Sequence, residues 1–181
     1  TIPINKMMPT KAITVSGVRA VDRAYNGLIS VALDVSAASL PGTIAGDSIG
    51  LSGGTGNMLD KNIGVAKPVT LGSLTFGGAD AGNYSFGLSG ALAVNISPLT
   101  LAVSGITAAN KVYDATNAAA IATRTLSGTI AGDDVVYSGG SATFSDKNVA
   151  AGKAVSGTGL GLTGADADNY TVNSTANTTA S

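Results

Sequence analysis

The sequence predicts an all-β fold divided into two tandem homologous domains. Apolar residues recur at every second position in several short runs, turn-forming residues fill the gaps, and one ordered set of motifs is written twice. Alternation places successive side chains on opposite faces of a strand, the pattern of a sheet with one face buried. Gly supplies 25 of the 181 residues and joins abundant Asn, Asp, Ser and Thr as turn chemistry between the runs. Helix is disfavoured independently, since Glu, a good helix former, is absent from the chain.

Taken in order, Ile13–Val15 is the first candidate strand. Ile29, Val31, Leu33 and Val35 alternate with Ser30, Ala32 and Asp34 and make the clearest one. Ile49–Leu51, Val69–Leu71 and Leu74–Phe76 are shorter candidates. Tyr84, Phe86 and Leu88 alternate next, and Leu92, Val94 and Ile96 alternate after them. The second half carries relatives at Val135–Tyr137, Val155 and Leu160–Leu162. The alanine-rich stretch from Asn117 to Arg124 is the best helical candidate, yet its counterpart is the strand Ile29–Val35, so strand is expected in both. Roughly six to eight short strands are expected per domain.

The duplication sets the domain organisation. The hexamer GTIAGD stands at Gly42–Asp47 and again at Gly128–Asp133, 86 residues on. Val15-Ser16-Gly17-Val18 returns as Val103-Ser104-Gly105-Ile106, and Tyr25-Asn26-Gly27 returns as Tyr113-Asp114-Ala115, both at an offset of 88. Asp60-Lys61-Asn62 matches Asp146-Lys147-Asn148, and the stretch Gly78 to Tyr84, ending Asn83-Tyr84, matches Gly164 to Tyr170, ending Asn169-Tyr170. The change in offset puts a two-residue deletion between Ala115 and Gly128, where a loop or strand end tolerates it. Residues 10–97 are therefore read as the first repeat and 98–181 as the second, its last strand shortened; 1–9 read as the tail of a preceding repeat or as residues foreign to the repeats. Pro98 fixes φ and lacks an amide donor, so a short junction without a flexible linker is expected to hold the two end to end as a rod. Each domain reads as a sandwich or a β-grasp-like sheet, with strand order open.

Composition removes many functions. Ten Lys and Arg against eleven Asp give a net charge of −1, with no basic footprint for nucleic acid or for a membrane surface. No apolar run approaches the ~20 residues of a spanning helix, so no membrane insertion is expected. His and Cys are both absent, which takes away the usual zinc ligands and the usual nucleophile–base pairs. No catalytic residue and no cofactor-binding residue is assigned, and the chain is read as a monomer that is not an enzyme.

Each repeated motif has a plain reading and a sharper one. In Gly42–Asp47 and Gly128–Asp133 the glycines permit positive φ and the Asp can bond backbone amides, so both read as turns leading into a strand. A phosphate-cradling loop would instead call for Gly-Lys-Ser/Thr opening a helix. Tyr25 and Tyr113 precede turn formers and read as structural corners whose rings pack while their hydroxyls bond backbone; the sharper reading makes them, with Tyr137, sugar-stacking residues. Asp60-Lys61-Asn62 and its copy read as exposed hairpin turns, against a covalent Lys–Asn brace. Asp166, Asp168 and Asn169 resemble the start of a calcium loop, but the sharp-turn Gly and bidentate Glu are missing and the first copy has one carboxylate fewer; the plain reading is an Asx-type turn before the strands at Tyr84 and Tyr170.

The ordered stretches LTLAVSGITAANKVYDAT, LSGTIAGDDV and FSDKNVAAGKAVSGTGLGLTGADADNYTV resemble the YDG-type repeat of very large bacterial surface and secreted adhesins. These are the filamentous-haemagglutinin-like exoproteins exported by two-partner secretion, and related biofilm adhesins. Tyr113-Asp114-Ala115 stands at the family's Tyr-Asp-Gly, with Tyr25-Asn26-Gly27 as its counterpart; each copy departs from the pattern once, at Asn26 and at Ala115. The resemblance implies an extracellular or cell-surface stalk, with neighbouring repeats of the same chain as partners and polysaccharide or host glycans as further candidates. It implies no reaction.

Overall fold

A computed structural model describes residues 8–101 and 103–181. The reading of residues 1–9 as the tail of another repeat falls largely on residues 1–7, outside the described residues. The described residues are strands joined by turns, and helical backbone among them is confined to two one-turn 3₁₀ segments at Ala81–Asn83 and Ala167–Asn169. The chain divides into two compact units: Thr1–Arg23 with Leu28–Ile96, and Ala24–Gly27 with Ser97–Ser181. The short segment Ala24–Gly27 thus belongs to the second unit although it lies within the first repeat of the sequence.

In the first repeat of the sequence the strands are β1 (Lys11–Val15), β2 (Arg19–Ala20), β3 (Arg23–Ala24), β4 (Ser30–Asp34), β5 (Gly50–Met58), β6 (Gly64–Gly77), β7 (Tyr84–Leu88) and β8 (Leu92–Ser97). Six form one sheet in the order β2-β4-β5-β6-β8-β3, while β1 and β7 pair in parallel with Lys11 opposite Tyr84. The alternation read from sequence is the burial pattern seen. Val31 and Leu33 of β4 and Leu92, Val94 and Ile96 of β8 are buried, with exposed residues between them. Ile13 and Val15 of β1, Met58 of β5, Val69 of β6 and Tyr84 of β7 complete that core.

The second unit repeats the plan. Its strands are β9 (Leu99–Thr100), β10 (Val103–Ala108), β11 (Ala118–Ala119), β12 (Ile121–Ser127), β13 (Val136–Phe144), β14 (Lys153–Thr163), β15 (Tyr170–Thr171) and β16 (Thr175–Ala180). A four-stranded sheet runs β11-β13-β14-β16, β10 pairs antiparallel with β12, and β9 pairs in parallel with β15, placing Leu99 opposite Tyr170 as Lys11 stands opposite Tyr84. Ile106, Tyr137 and Leu160 form one buried cluster, and Ala142, Phe144, Val155 and Ala180 another. The alanine-rich stretch is strand, as β11 and β12.

Two features depart from the sequence expectation. Val69–Leu71 and Leu74–Phe76 are not separate strands but parts of the single β6, and Val155 and Leu160–Leu162 likewise share β14. Ser52-Gly53-Gly54 lies inside β5 rather than in a turn. Glycine serves close approach there: a Cβ on Gly56 would lie 2.4 Å from Val69 Cγ1 on the neighbouring strand. The two-residue deletion maps to the end of β4, where Ala38 donates to Val35 O across a turn before Ser39 bridges Ser16; in the second unit β12 runs on to Ser127 against β10.

Candidate functional site

The repeated motifs converge on one node in each unit. In the first, the GTIAGD turn is closed by the Asp47 amide donating to Ile44 O at 3.1 Å, which holds the Asp47 carboxylate beside β7. The Tyr84 hydroxyl donates to Asp47 Oδ2 at 2.5 Å and accepts from the Ile44 amide at 2.9 Å. In the second unit the Tyr170 hydroxyl donates to Asp133 Oδ2 at 2.6 Å and accepts from the Ile130 amide at 2.9 Å. The hexamer is therefore repeated because its first half offers a backbone donor and its last residue an acceptor to one phenol.

The aspartate of the 3₁₀ turn staples the other side of the hexamer. Asp80 Oδ2 accepts from the Ser48 amide at 2.8 Å, and Asp166 Oδ2 accepts from the Asp134 amide at 3.0 Å. Each also returns its own amide to the same residue's carbonyl, at 3.2 and 3.1 Å. Of the residues weighed as a calcium loop, Asp166 is engaged in this staple, Asp168 is exposed and Asn169 is buried. Among the described residues no group of three or more acidic side chains is placed to hold a metal ion.

The second node has a third member. Tyr25, in the Ala24–Gly27 segment of that unit, donates its hydroxyl to Asp133 Oδ2 at 2.7 Å, and its ring meets Tyr170 edge-on at 5.3 Å and 74°. Two phenols thus converge on one carboxylate oxygen. Burial, and then the Asp133 carboxylate, push the Tyr170 phenol up to about 12; the bond to Asp47 raises Tyr84 in the same direction. Both phenols remain neutral donors throughout the physiological range, which suits a structural bond and not a nucleophile.

A basic residue two positions before each YDG-type tyrosine holds the turn, a role the sequence reading did not assign. Arg23 Nη2 donates to Leu28 O at 2.7 Å and to Ser30 O at 3.2 Å. Lys111 Nζ reaches Thr116 O at 3.3 Å and Ala118 O at 2.9 Å, the same positions at the offset of 88, and pairs with Asp114 at 2.7 Å. That ammonium, with the Thr116 amide, holds the Asp114 carboxyl down to about 2.

At the hairpins, Asp60 and Asp146 accept from the amides of Asn62 and Asn148 in Asx turns, at 2.9 and 2.7 Å. The lysine that completes each is Lys67 or Lys153, from the returning strand, and not Lys61 or Lys147. Lys67 Nζ bonds Asp60 at 2.5 Å and Asn62 O at 2.7 Å, while Lys153 Nζ bonds Asp146 and, at 2.6 Å, Asn148 O. Asn62 and Asn148 offer these lysines a backbone carbonyl. The detectable signal was a basic residue seven positions after each Asp in both copies.

Of the three tyrosines weighed for sugar stacking, Tyr25 and Tyr137 are 1% and 4% exposed, so neither presents a ring face. Tyr137 instead packs with Ile106 and Leu160 and donates to Asn173 O at 3.0 Å. Tyr113 is 55% exposed and borders a cleft of about 230 Å³ shared with Val112, Phe144, Val149 and Lys153.

The family model described as the YDG domain matches residues 9–91 and again residues 97–179. The chain belongs to the YDG-domain family. No curated protein and no solved structure matches it. The bonded node is thus a feature of both YDG domains of this chain: Asn83-Tyr84 and Asn169-Tyr170 close each domain onto its own GTIAGD turn. Of the YDG-type triplets, the first brings Tyr25 to the second node and the second leaves Tyr113 on the surface.

Proposed function

We propose that this chain is a structural spacer, a stalk segment of a large bacterial surface or secreted adhesin, whose YDG domains serve to project a binding region for adhesion or biofilm formation. The observation that carries the reading is where the recurrent polar groups go. Asp47, Asp60, Asp80 and their counterparts Asp133, Asp146 and Asp166 all bond groups of their own unit, and Tyr84 and Tyr170 do the same. Repetition that spends its motifs on internal ties suits a part whose task is to persist and to add length. The YDG-type resemblance to filamentous-haemagglutinin-like exoproteins supplies the cell-surface setting, with neighbouring repeats as partners, and the proposal assigns no reaction.

The second reading, a glycan- or exopolysaccharide-binding module, rests on Tyr113 beside its cleft. A glycan array and a polysaccharide pull-down with the two-domain chain separate the two. A spacer retains no ligand, whereas retention lost on Tyr113→Ala would establish the binding reading in its place. Labelling of intact against permeabilised cells tests location: signal only after permeabilisation would overturn the surface assignment.

A further inference from the structure

Each half of the Tyr25 contact has a twin elsewhere in the chain. The acceptor in the second unit is Ile130, Asp133 and Tyr170, and its twin in the first is Ile44, Asp47 and Tyr84, with the same two bonds at the phenol. The inserted turn is Tyr25-Asn26-Gly27, and its twin is Tyr113-Asp114-Ala115. Among the described residues Tyr84 is the tyrosine bonded to Asp47, so the position that Tyr25 takes at Asp133 has no counterpart there.

The twin turn is already shaped for the role. Ala115 holds φ 67°, close to the 76° of Gly27, although the left-handed region disfavours alanine. Lys111 clamps its carbonyls as Arg23 clamps those of the first turn. Tyr113 is 55% exposed and Val112 beside it is more so; in the acceptor the Tyr84 ring is buried, and the open part is its rim, where Ile44 is 54% exposed against a half-buried Ile130. A Cβ on Gly27 would come within 2.9 Å of Ile130 Cγ2. Ala115 therefore asks for a small rotation of an Ile44 side chain that is free at the surface.

We propose that the Tyr113–Ala115 turn docks at the Ile44–Asp47–Tyr84 acceptor of a second copy of this chain, packing against Ile44 with its hydroxyl bonding Asp47. The contact is head to tail: every copy carries one turn and one acceptor, so association continues beyond a dimer. One docked aromatic with one charge-assisted bond makes a weak contact between separate chains, and a strong one where a tandem array supplies a millimolar effective concentration.

Sedimentation velocity of the whole chain, from micromolar to about millimolar, tests this with Tyr113→Ala, which removes the turn's phenol, and Ile44→Asp, which charges the acceptor's rim. Both positions are exposed, and circular dichroism checks that each variant keeps its strands. The wild-type chain is expected to form concentration-dependent species beyond a dimer. Each variant alone is expected to stay monomeric, and their equimolar mixture to stop at a dimer, because only one productive face remains on each. A wild-type chain that stays monomeric over the whole range overturns the proposal, as does association that survives either substitution.

Discussion

Tyr170→Phe removes one oxygen and leaves the ring, so it isolates what the hydroxyl contributes. The phenyl still meets Tyr25 edge-on and still lies opposite Leu99. Two bonds are lost: the donation to Asp133 Oδ2 at 2.6 Å and the acceptance from the Ile130 amide at 2.9 Å. A bond to a charged group contributes about 1.5–3 kcal/mol and a neutral one about 1 kcal/mol. Tyr25 keeps a donor on the same carboxylate oxygen, which places the first figure at its lower end. The expected loss is about 2.5 kcal/mol, and with about 4–8 °C per kcal/mol for a domain of this size the second unit should melt about 10–20 °C lower.

Calorimetry of the two-domain chain reads this directly, and urea titration gives the free energy. Tyr25→Phe removes the other donor to Asp133 Oδ2. Because both hydroxyls share one acceptor oxygen, the double variant should depart from the sum of the two. A Tyr170→Phe chain that melts within 3 °C of wild type would refute the node as a source of stability, and the account of why GTIAGD is repeated would fall with it.

Other predictions are briefer. Since the folded Tyr170 phenol lies at about 12 against an ordinary 10.0, its stabilisation is fully present below pH 10 and is lost as pH rises towards 12; alkaline melting should show that decline, and Tyr170→Phe should flatten it. Asp114 is held at about 2 against an ordinary 3.8, so its contribution is present above pH 3.8 and fades as pH falls through about 2. A carboxyl ¹³C titration should find that low midpoint, and Lys111→Met should raise it; an unmoved midpoint rejects the Lys111 pairing. Gly164→Ala puts a Cβ 2.3 Å from Asp134 O at φ 117°, so at least about 2 kcal/mol of stability should be lost. Gly82→Ala meets nothing within 4 Å and should be near neutral; equal effects would reject the steric argument.

Strands with alternating apolar residues were legible because the core lies on one face: β4 and β8 each bury alternate residues as written. Longer strands were not. β5 and β6 continue through Gly53, Gly54, Gly56 and Gly72, residues that reasoning from turn chemistry assigns to loops; at Gly54, Gly56 and Gly72 a side chain would collide with the neighbouring strand, and Gly53 holds φ 55°. The site was half legible. Duplication marked Asp47, Tyr84, Asp133 and Tyr170, but a motif does not name its partner, and Tyr84 lies 37 residues from the aspartate it bonds. Arg23, Lys111, Lys67 and Lys153 escaped notice because long side chains act on carbonyls several residues away, where spacing carries little signal.

The two copies show which constraints are tight. Leu51, Phe76 and Phe86 of the first unit stand where Tyr137, Leu162 and Val172 stand in the second, so the aromatic bulk moves from β6 and β7 to β13. Phe76 and Phe86 stack at 3.5 Å in the one, while Tyr137 packs among Ile106, Leu160, Leu162 and Val172 in the other. A core accepts that exchange because volume can be redistributed among neighbours at modest cost. A phenol between an amide and a carboxylate cannot be redistributed, since a shift of half an ångström in either partner breaks a bond with a narrow range of length. The same hydroxyl geometry, 2.5 and 2.9 Å in one unit and 2.6 and 2.9 Å in the other, therefore survives around cores that have diverged. Identity in the hexamer and drift in the core follow from this single difference between directional and non-directional forces.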